Sequence, residues 1–366
     1  MLFETCSTHC PLDFGYAQHT WCAMLERTEL DKDLFANREC IVAIQELIVM
    51  YLKISKISDE TASIRSFYLV NASTGVPLPE FSAGSHITVR VTETIRRQYS
   101  LANTPGSSNC YLISVLRERE GRGGSHWIHE NWKIGDILEV EGPTNHFRLD
   151  ESAGKVILIA GGIGITPILS MARRLQQIGT EYHLYYCARS VEETAHYGAI
   201  VNSTLCTNVT FIHDQATGGR LDVSRLLNDR REDCHVYVCG PHGLVEAVKS
   251  ATQGWPPETV HYELFGADPS SIRCHEGDTE FTVTIGSTGE SFAVPSDQSI
   301  LQVLANNGVR VRTLCEEGYC GSCLTPVLSG KPDHRDSVLT QAERNSGQLI
   351  ALCCSRAESE NLILDL

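Results

Sequence analysis

The chain has 366 residues, 42% of them hydrophobic and 20% charged, with a net charge of −15. That length asks for two or three globular domains. The acidic balance excludes nucleic acid and anionic membrane as natural partners while suiting a basic patch on another protein, and no apolar run reaches the roughly 18 residues a membrane helix needs.

Fifteen cysteines would point to a disulfide scaffold in a short secreted chain. This chain is too long for that, and Cys110, Cys187, Cys206, Cys234, Cys239 and Cys274 stand singly, as in a reducing cytosol. No basic stretch leads into an apolar core at the start, so no secretory signal is expected. The expectation is a cytoplasmic protein, monomeric, with no membrane contact.

Residues 1–46 hold Cys6, Cys10, Cys22 and Cys40 with His9 and His19. Their spacings match no metal-ligand pattern, so this stretch reads as a partly helical extension of unknown role.

From 47 to 150 short apolar or alternating segments are broken by turn signals. Strands are predicted at Leu47–Ile57, Ile64–Val70, His86–Val91, Tyr99–Ala102, Tyr111–Arg117 and Ile137–Glu141. Six strands at this spacing predict a small antiparallel barrel. Within it lies Arg97-Gln98-Tyr99-Ser100. Downstream, Gly123-Gly124-Ser125 precedes a short helix predicted at His126–Trp132. Free amides and the positive dipole end at such a helix start make an anion site.

Together these two motifs resemble the flavin domain of the ferredoxin reductase superfamily, in the branch typified by phthalate dioxygenase reductase, with vanillate demethylase and carnitine monooxygenase reductases. The resemblance implies that Arg97 contacts the flavin phosphate, that Tyr99 packs on the flavin, and that Ser100 approaches flavin N5 as a catalytic residue. It gives Gly123, Gly124 and Ser125 the phosphate of FMN, with FAD as the alternative. The chemistry is consistent: a dianionic phosphate asks for a charged fork plus backbone donors.

From 151 to 265 strands alternate with helices. Lys155–Ala160 is a continuous apolar strand, followed by Gly161-Gly162-Ile163-Gly164-Ile165-Thr166-Pro167 and a helix through Ile178, with Pro167 expected at its first position. Strands follow at Tyr182–Cys187, Val209–His213, Val236–Cys239 and Val260–Leu264, with a helix through Ser250. The pattern predicts a parallel sheet covered on both faces, with the glycine loop at the carboxyl end of the first strand, where nucleotides bind. Followed by Cys239-Gly240-Pro241, it resembles the NAD(P)H module of the same reductases. The resemblance implies that Gly162, Gly164 and Thr166 hold the pyrophosphate and that Cys239, Gly240 and Pro241 line the nicotinamide pocket. Cys239 is expected to shape that pocket near nicotinamide C4 rather than act as a nucleophile; the alternative is a buried filler. Arg189 is placed to touch the adenosine ribose, reading either the diol of NADH or the phosphate of NADPH; the resemblance favours NADH. Phe265 is the candidate aromatic against the flavin, or else an apolar strand end. Residues 266–279 read as a linker.

From 280 to 366 strands are predicted at Phe281–Ile285, Ser291–Val294, Leu324–Leu328 and Leu349–Cys353, with a helix at Ser299–Asn306, an order that fits a β-grasp domain. Cys315, Cys320 and Cys323 are spaced C-x4-C-x2-C, and Cys353 follows at a distance. That is the plant-type [2Fe–2S] arrangement. Zinc ribbons take C-x2-C twice, and this stretch has it once. Gly318 and Gly321 sit where the loop must turn its amides towards sulfur. Cys354 adjoins Cys353, and neighbouring strand residues face opposite ways, so one of them is the fourth ligand; the resemblance selects Cys353. Asp and Glu outnumber Lys and Arg eleven to six from Glu280 onward, and Glu316, Glu317 and Tyr319 are expected to face a partner.

The fold expected is thus a flavin barrel, an α/β nucleotide domain and a β-grasp ferredoxin domain. The resemblance implies a reductase passing electrons from NADH through FMN and [2Fe–2S] to a Rieske-type oxygenase component. An acceptor such as a cytochrome P450, or a redox-sensing role, is the alternative.

Overall fold

In a computed structural model of the chain, the described residues are 49–366, apart from 107–108, 119–122, 218–219, 229–232, 267–276 and 340. The expected extension and most of the expected linker lie outside them, as does Cys274.

Six strands form the first sheet: β1 (Val49–Asp59), β2 (Ile64–Asn71), β3 (His86–Arg90), β4 (Arg96–Ser100), β5 (Tyr111–Leu116) and β6 (Ile137–Thr144). Their order is β4-β3-β6-β1-β2-β5, and every pairing is antiparallel. Alternation sends Leu52, Ile54, Phe67, Leu69, Ile87, Val89, Ile113 and Val140 to one core. The sheet's two edges meet where the Ala102 N–H donates to the Leu112 carbonyl at 2.8 Å. The fourth strand starts earlier than the expected Tyr99. The register from Arg90↔Arg96 to His86↔Ser100 carries it back to a turn closed by the Ile95 N–H on the Thr92 hydroxyl. Helix α1 (Gly124–Asn131) also starts earlier than expected, because Gly123, at φ 82°, serves as its cap.

The second sheet comprises β7 (Lys155–Gly161), β8 (Glu181–Ala188), β9 (Val209–His213), β10 (Cys234–Cys239) and β11 (Val260–Glu263), ordered β11-β10-β7-β8-β9 and wholly parallel. The continuous apolar strand β7 is buried on both sides, as such sheets require. Val156, Leu158 and Ala160 pack with Ile165, Ile168, Leu169 and Leu175 of α2 (Ile165–Ile178). Ile159 faces the other way, into a cluster with Val245 and Val248, which lie on a helix that follows β10. Pro167 is the third residue of α2, not the first, because the helix begins two residues sooner, directly out of the tight turn Gly162–Gly164. The first two modules are bonded together. Arg173 of α2 donates to the Ala102 carbonyl at 2.7 Å and Ser170 to the Asn103 carbonyl at 3.0 Å. Buried His196 reaches the Ser114 hydroxyl at 2.9 Å, and its amide donates to Glu60 Oε2 at 3.1 Å.

The third module contains β12 (Phe281–Ile285), β13 (Ser291–Val294), β14 (Leu324–Ser329), β15 (Pro332–Asp333), β16 (Leu349–Ala351), β17 (Arg356–Ala357) and β18 (Asn361–Leu364). Strands β12 and β18 run parallel at the centre of the order β13-β12-β18-β14-β16, with a helix at Ile300–Asn306 packed on the sheet. Ser299 and Gln302 close that helix's start as a reciprocal cap. The strand expected to carry the last ligand stops at Ala351. The Ser355 N–H donates to the Ala351 carbonyl at 3.0 Å, so Cys353 and Cys354 sit in a turn rather than on opposite strand faces. No helix among the described residues is long and apolar enough to cross a membrane.

Candidate functional site

One cavity of about 660 Å³ is walled by all three modules. Arg97, Tyr99 and Ser100 of β4, Gly124 and Ser125 of α1, Thr166 of α2, Phe265 beyond β11, and Cys315 and Cys320 all line it. Nine residues picked out from separate sequence motifs therefore meet at a single space.

One end is built for an anion. The guanidinium of Arg97 lies against the first turn of α1: a Cβ on Gly124 would stand 3.3 Å from Arg97 Nε. The missing side chain at Gly124 lets the helix's free amides and the arginine approach closely. Ser125 accepts from the Glu118 N–H at 3.1 Å, which leaves its own O–H to donate. Gly123 caps the helix and does not line the cavity. Burial holds the Tyr99 phenol above its usual range, with Arg97 opposing weakly, so the ring stays neutral. This end fits a phosphate-bearing ligand with a flat ring system.

At the glycine loop after β7 the backbones are pressed together. A Cβ on Gly164 would fall 2.2 Å from the Cys239 carbonyl oxygen, and one on Gly240 would fall 2.9 Å from the Gly161 Cα. Gly162 adopts φ 54°, and the Thr166 hydroxyl donates to the Ile163 carbonyl at 3.2 Å. Of the residues expected here, Thr166 and Phe265 line the cavity, whereas Gly162, Gly164, Cys239, Gly240 and Pro241 do not. Cys239 is wholly buried, and burial pushes its thiol well above the ordinary range, with the Glu263 carboxyl adding to the effect. It carries no thiolate to react with. Arg189 stands apart from this cavity at the end of β8, 70% exposed and 3.5 Å from Glu193.

The four cysteines gather beside the cavity, with Cys315 and Cys320 lining it. Cys353 hydrogen-bonds to the thiols of Cys315 and Cys323. Cys315 is held below its ordinary range, first by the Cys320 thiol and next by that of Cys353, with the Glu317 and Tyr319 amides contributing; the Glu317 N–H lies 3.3 Å from its sulfur. Cys323 accepts from the Cys353 and Leu352 amides. Among the described residues no group of three or more His, Cys, Asp or Glu is arranged around a single ion. A two-iron cluster asks for something else, two cysteines per iron, and amide-fringed sulfurs suit its thiolates. Gly318 at φ 77° is required here, since a Cβ would lie 2.5 Å from Cys354 Sγ. Cys354 is thereby wedged beneath the loop.

Glu317 and Tyr319, both half-buried, line the cavity beside Cys315 and Cys320. Glu316 is exposed and borders a second, smaller cavity that includes Cys353.

Three lining residues escaped the sequence reading. His86 and His146 pack edge to face at 5.4 Å, and Gln98 meets His86 Nε2 at 3.0 Å. Burial, reinforced by His146, lowers His86 to about 3, so it is neutral. Glu263 ends β11 half-buried, its Oε2 shielded from solvent and unpartnered, and burial pushes its carboxyl up to about 8. The one available signal was an acid inside the otherwise apolar run Val260–Phe265.

A 2Fe-2S iron-sulfur cluster binding domain model matches residues 283–358, and an oxidoreductase NAD-binding domain model matches 158–250. Phthalate dioxygenase reductase of Burkholderia cepacia is 42% identical over 88% of this chain and 99% of its own. The carnitine monooxygenase reductase subunit of Escherichia coli (strain K12) is 40% identical over 86% and 98%. Among solved structures, phthalate dioxygenase reductase, described as a modular structure for electron transfer from pyridine nucleotides to [2Fe–2S], superposes with a TM-score of 0.66 at 41% identity, covering 87% of this chain and 98% of that one. An intact type IV self-sufficient cytochrome P450 monooxygenase gives a TM-score of 0.79 at 34% identity over 96% of this chain and 44% of that one.

Proposed function

The chain belongs to the phthalate dioxygenase reductase family, and on that premise we propose that it is the reductase component of an oxygenase system, drawing electrons from NADH and delivering them to a Rieske-type oxygenase partner. The observation that carries the reading is the single cavity shared by Arg97, Gly124, Thr166 and the cluster cysteines Cys315 and Cys320.

In this reading Arg97, Gly123, Gly124 and Ser125 hold the phosphate of FMN. Tyr99 and Phe265 cover its ring, and Ser100 offers a small hydroxyl beside its reactive nitrogen. Gly162, Gly164 and Thr166 take the pyrophosphate of NADH, Cys239, Gly240 and Pro241 back the nicotinamide wall, and Arg189 takes the adenosine ribose. Glu263 keeps its proton at neutral pH and presents a buried donor to the nucleotide's polar edge. Cys315, Cys320, Cys323 and Cys353 hold the [2Fe–2S] cluster. When bound, the flavin supplies the exchange of a two-electron hydride for single electrons, and the cluster supplies one-electron storage. The proposed modules are 47–150, 151–265 and 280–366, with 266–279 joining the last two.

The fit to a self-sufficient P450, over more of this chain than the phthalate reductase fit, favours a haem protein as the second acceptor class. The test is NADH-driven reduction of cytochrome c by protein carrying its flavin and iron. Turnover is expected; none at full cofactor loading would reject the reductase reading. Chromatography of the released flavin is expected to give FMN, and FAD would correct that assignment.

A further inference from the structure

We propose that Glu141 is a positioning residue: it seats the cluster-bearing module on the flavin barrel and so sets the rate at which electrons cross from flavin to cluster. The proposal rests on the reductase reading above. Glu141 lies on β6, with its side chain 14% exposed. Its two carboxylate oxygens are taken by different modules. Oε1 is bound by Arg96 of β4, and Oε2 by Arg312 of the third module at 2.8 Å.

The contact's location gives it consequence. Arg96 adjoins Arg97, the arginine at the cavity's anion end, and both line the cavity. Arg312 stands three residues before Cys315, and Leu314 and Cys315 line the same cavity from the other side. The carboxylate therefore joins the strand that would hold the flavin to the segment that leads into the cluster loop. It is also the end of a ladder. Glu139, two residues away and on the same strand face, lies 3.0 Å from Arg90 and 3.5 Å from Arg96, and Arg90 lies 2.8 Å from Glu93. Three arginines thus alternate with three glutamates across the barrel surface and onto the third module.

A lone exposed ion pair adds little. Glu141 differs because it is mostly buried, uses both oxygens, and separates two arginines that would face each other without it. The asymmetry is diagnostic. Losing Arg312 leaves Glu141 still paired with Arg96; neutralising Glu141 removes the carboxylate that joins Arg312 to Arg96, while Arg96 keeps Glu139 at 3.5 Å. Electron transfer falls steeply with distance, so a module that lifts away for part of the time transfers in proportion to its seated fraction.

The test uses the full chain with flavin and cluster, mixed anaerobically with NADH, with flavin bleaching and cluster reduction followed separately. In Glu141→Gln, cluster reduction is expected to slow about threefold to tenfold at low salt, with flavin bleaching unchanged. Arg312→Gln is expected to slow it less, and the double variant no more than Glu141→Gln alone. Glu141→Arg combined with Arg312→Glu is expected to be faster than Glu141→Arg alone, a recovery that a purely structural role would not give. A second readout needs no electron donor: amide hydrogen exchange across 310–323 in the oxidised protein rises in Glu141→Gln, and rises in the unaltered protein with salt. Unchanged cluster reduction and unchanged exchange in Glu141→Gln overturn the proposal, as does a reversal pair no better than Glu141→Arg. Should Glu141→Gln fold poorly, Arg312→Gln and the salt dependence of exchange decide in the same way. Absence of any cluster reduction in the unaltered protein instead counts against the reductase reading, and the exchange arm still judges the seating.

Discussion

Glu263 concentrates the residue-scale chemistry. Its carboxyl oxygen Oε2 is shielded and unpartnered, and the group holds its proton up to about pH 8 instead of the ordinary 4.5. The unfolded chain releases that proton near 4.5, so between the two values folding must take a proton up, and stability falls as pH rises through this window by up to about 1.4 kcal/mol per pH unit. Below the window the group contributes nothing, and above it the loss is complete. Melting of flavin-free protein should therefore drop between pH 5 and 8, and Glu263→Gln should flatten that drop; parallel curves for the two proteins would refute the assignment. Residues with special local grammar were legible in the sequence: Arg97, Tyr99 and Ser100 as a motif, Gly124 and Ser125 at a helix start, and the spaced cysteines. Glu263, His86 and His146 were not, because one polar residue in a strand or loop does not declare whether it faces solvent or a cavity. Nor did the sequence show that Glu317 and Tyr319 line the cavity, since cysteine spacing specifies a loop and not the side it presents.

At the scale of elements, periodicity located the longer strands and helices, and capping moved their ends; short helices such as Tyr197–Val201 and Gln341–Ser346, the two-residue strands β15 and β17, and the final strand β18 were not predicted. Gly123 pulled α1 forward, and the tight turn at Gly162–Gly164 drew α2 in ahead of Pro167. The last cysteine fell beyond its strand because a turn closes on the Ala351 carbonyl. The glycine loop is the element with least tolerance. A methyl group on Gly164 would sit 2.2 Å from the Cys239 carbonyl oxygen, a clash of backbone against backbone that no rotamer relieves. Gly164→Ala should cost about 1–3 kcal/mol of stability and weaken NADH binding at least about tenfold while the flavin stays bound. Unaltered NADH affinity in that variant would show that the loop does not carry the nucleotide.

For the whole molecule, the order of motifs revealed three modules and the direction of electron flow, whereas their mutual placement was not legible. Side chains from distant segments, such as Arg312 with Glu141 and His196 with Ser114, join the modules, and no local pattern announces them. The acidic surface around the third module should make reduction of a basic acceptor such as cytochrome c slow as salt rises; a flat response would argue against docking through charge. The central claim is that electrons run from NADH through the flavin to the cysteine-held cluster. Anaerobic NADH added to the unaltered protein and to Cys320→Ser, with flavin followed by absorbance and the cluster by electron paramagnetic resonance, tests it most directly. The account predicts bleached flavin and a reduced-cluster signal in the first, and bleached flavin with retained ferricyanide reduction but no cluster signal in the second. A cluster that stays oxidised in the unaltered protein, or a variant whose flavin no longer accepts electrons from NADH, would contradict it.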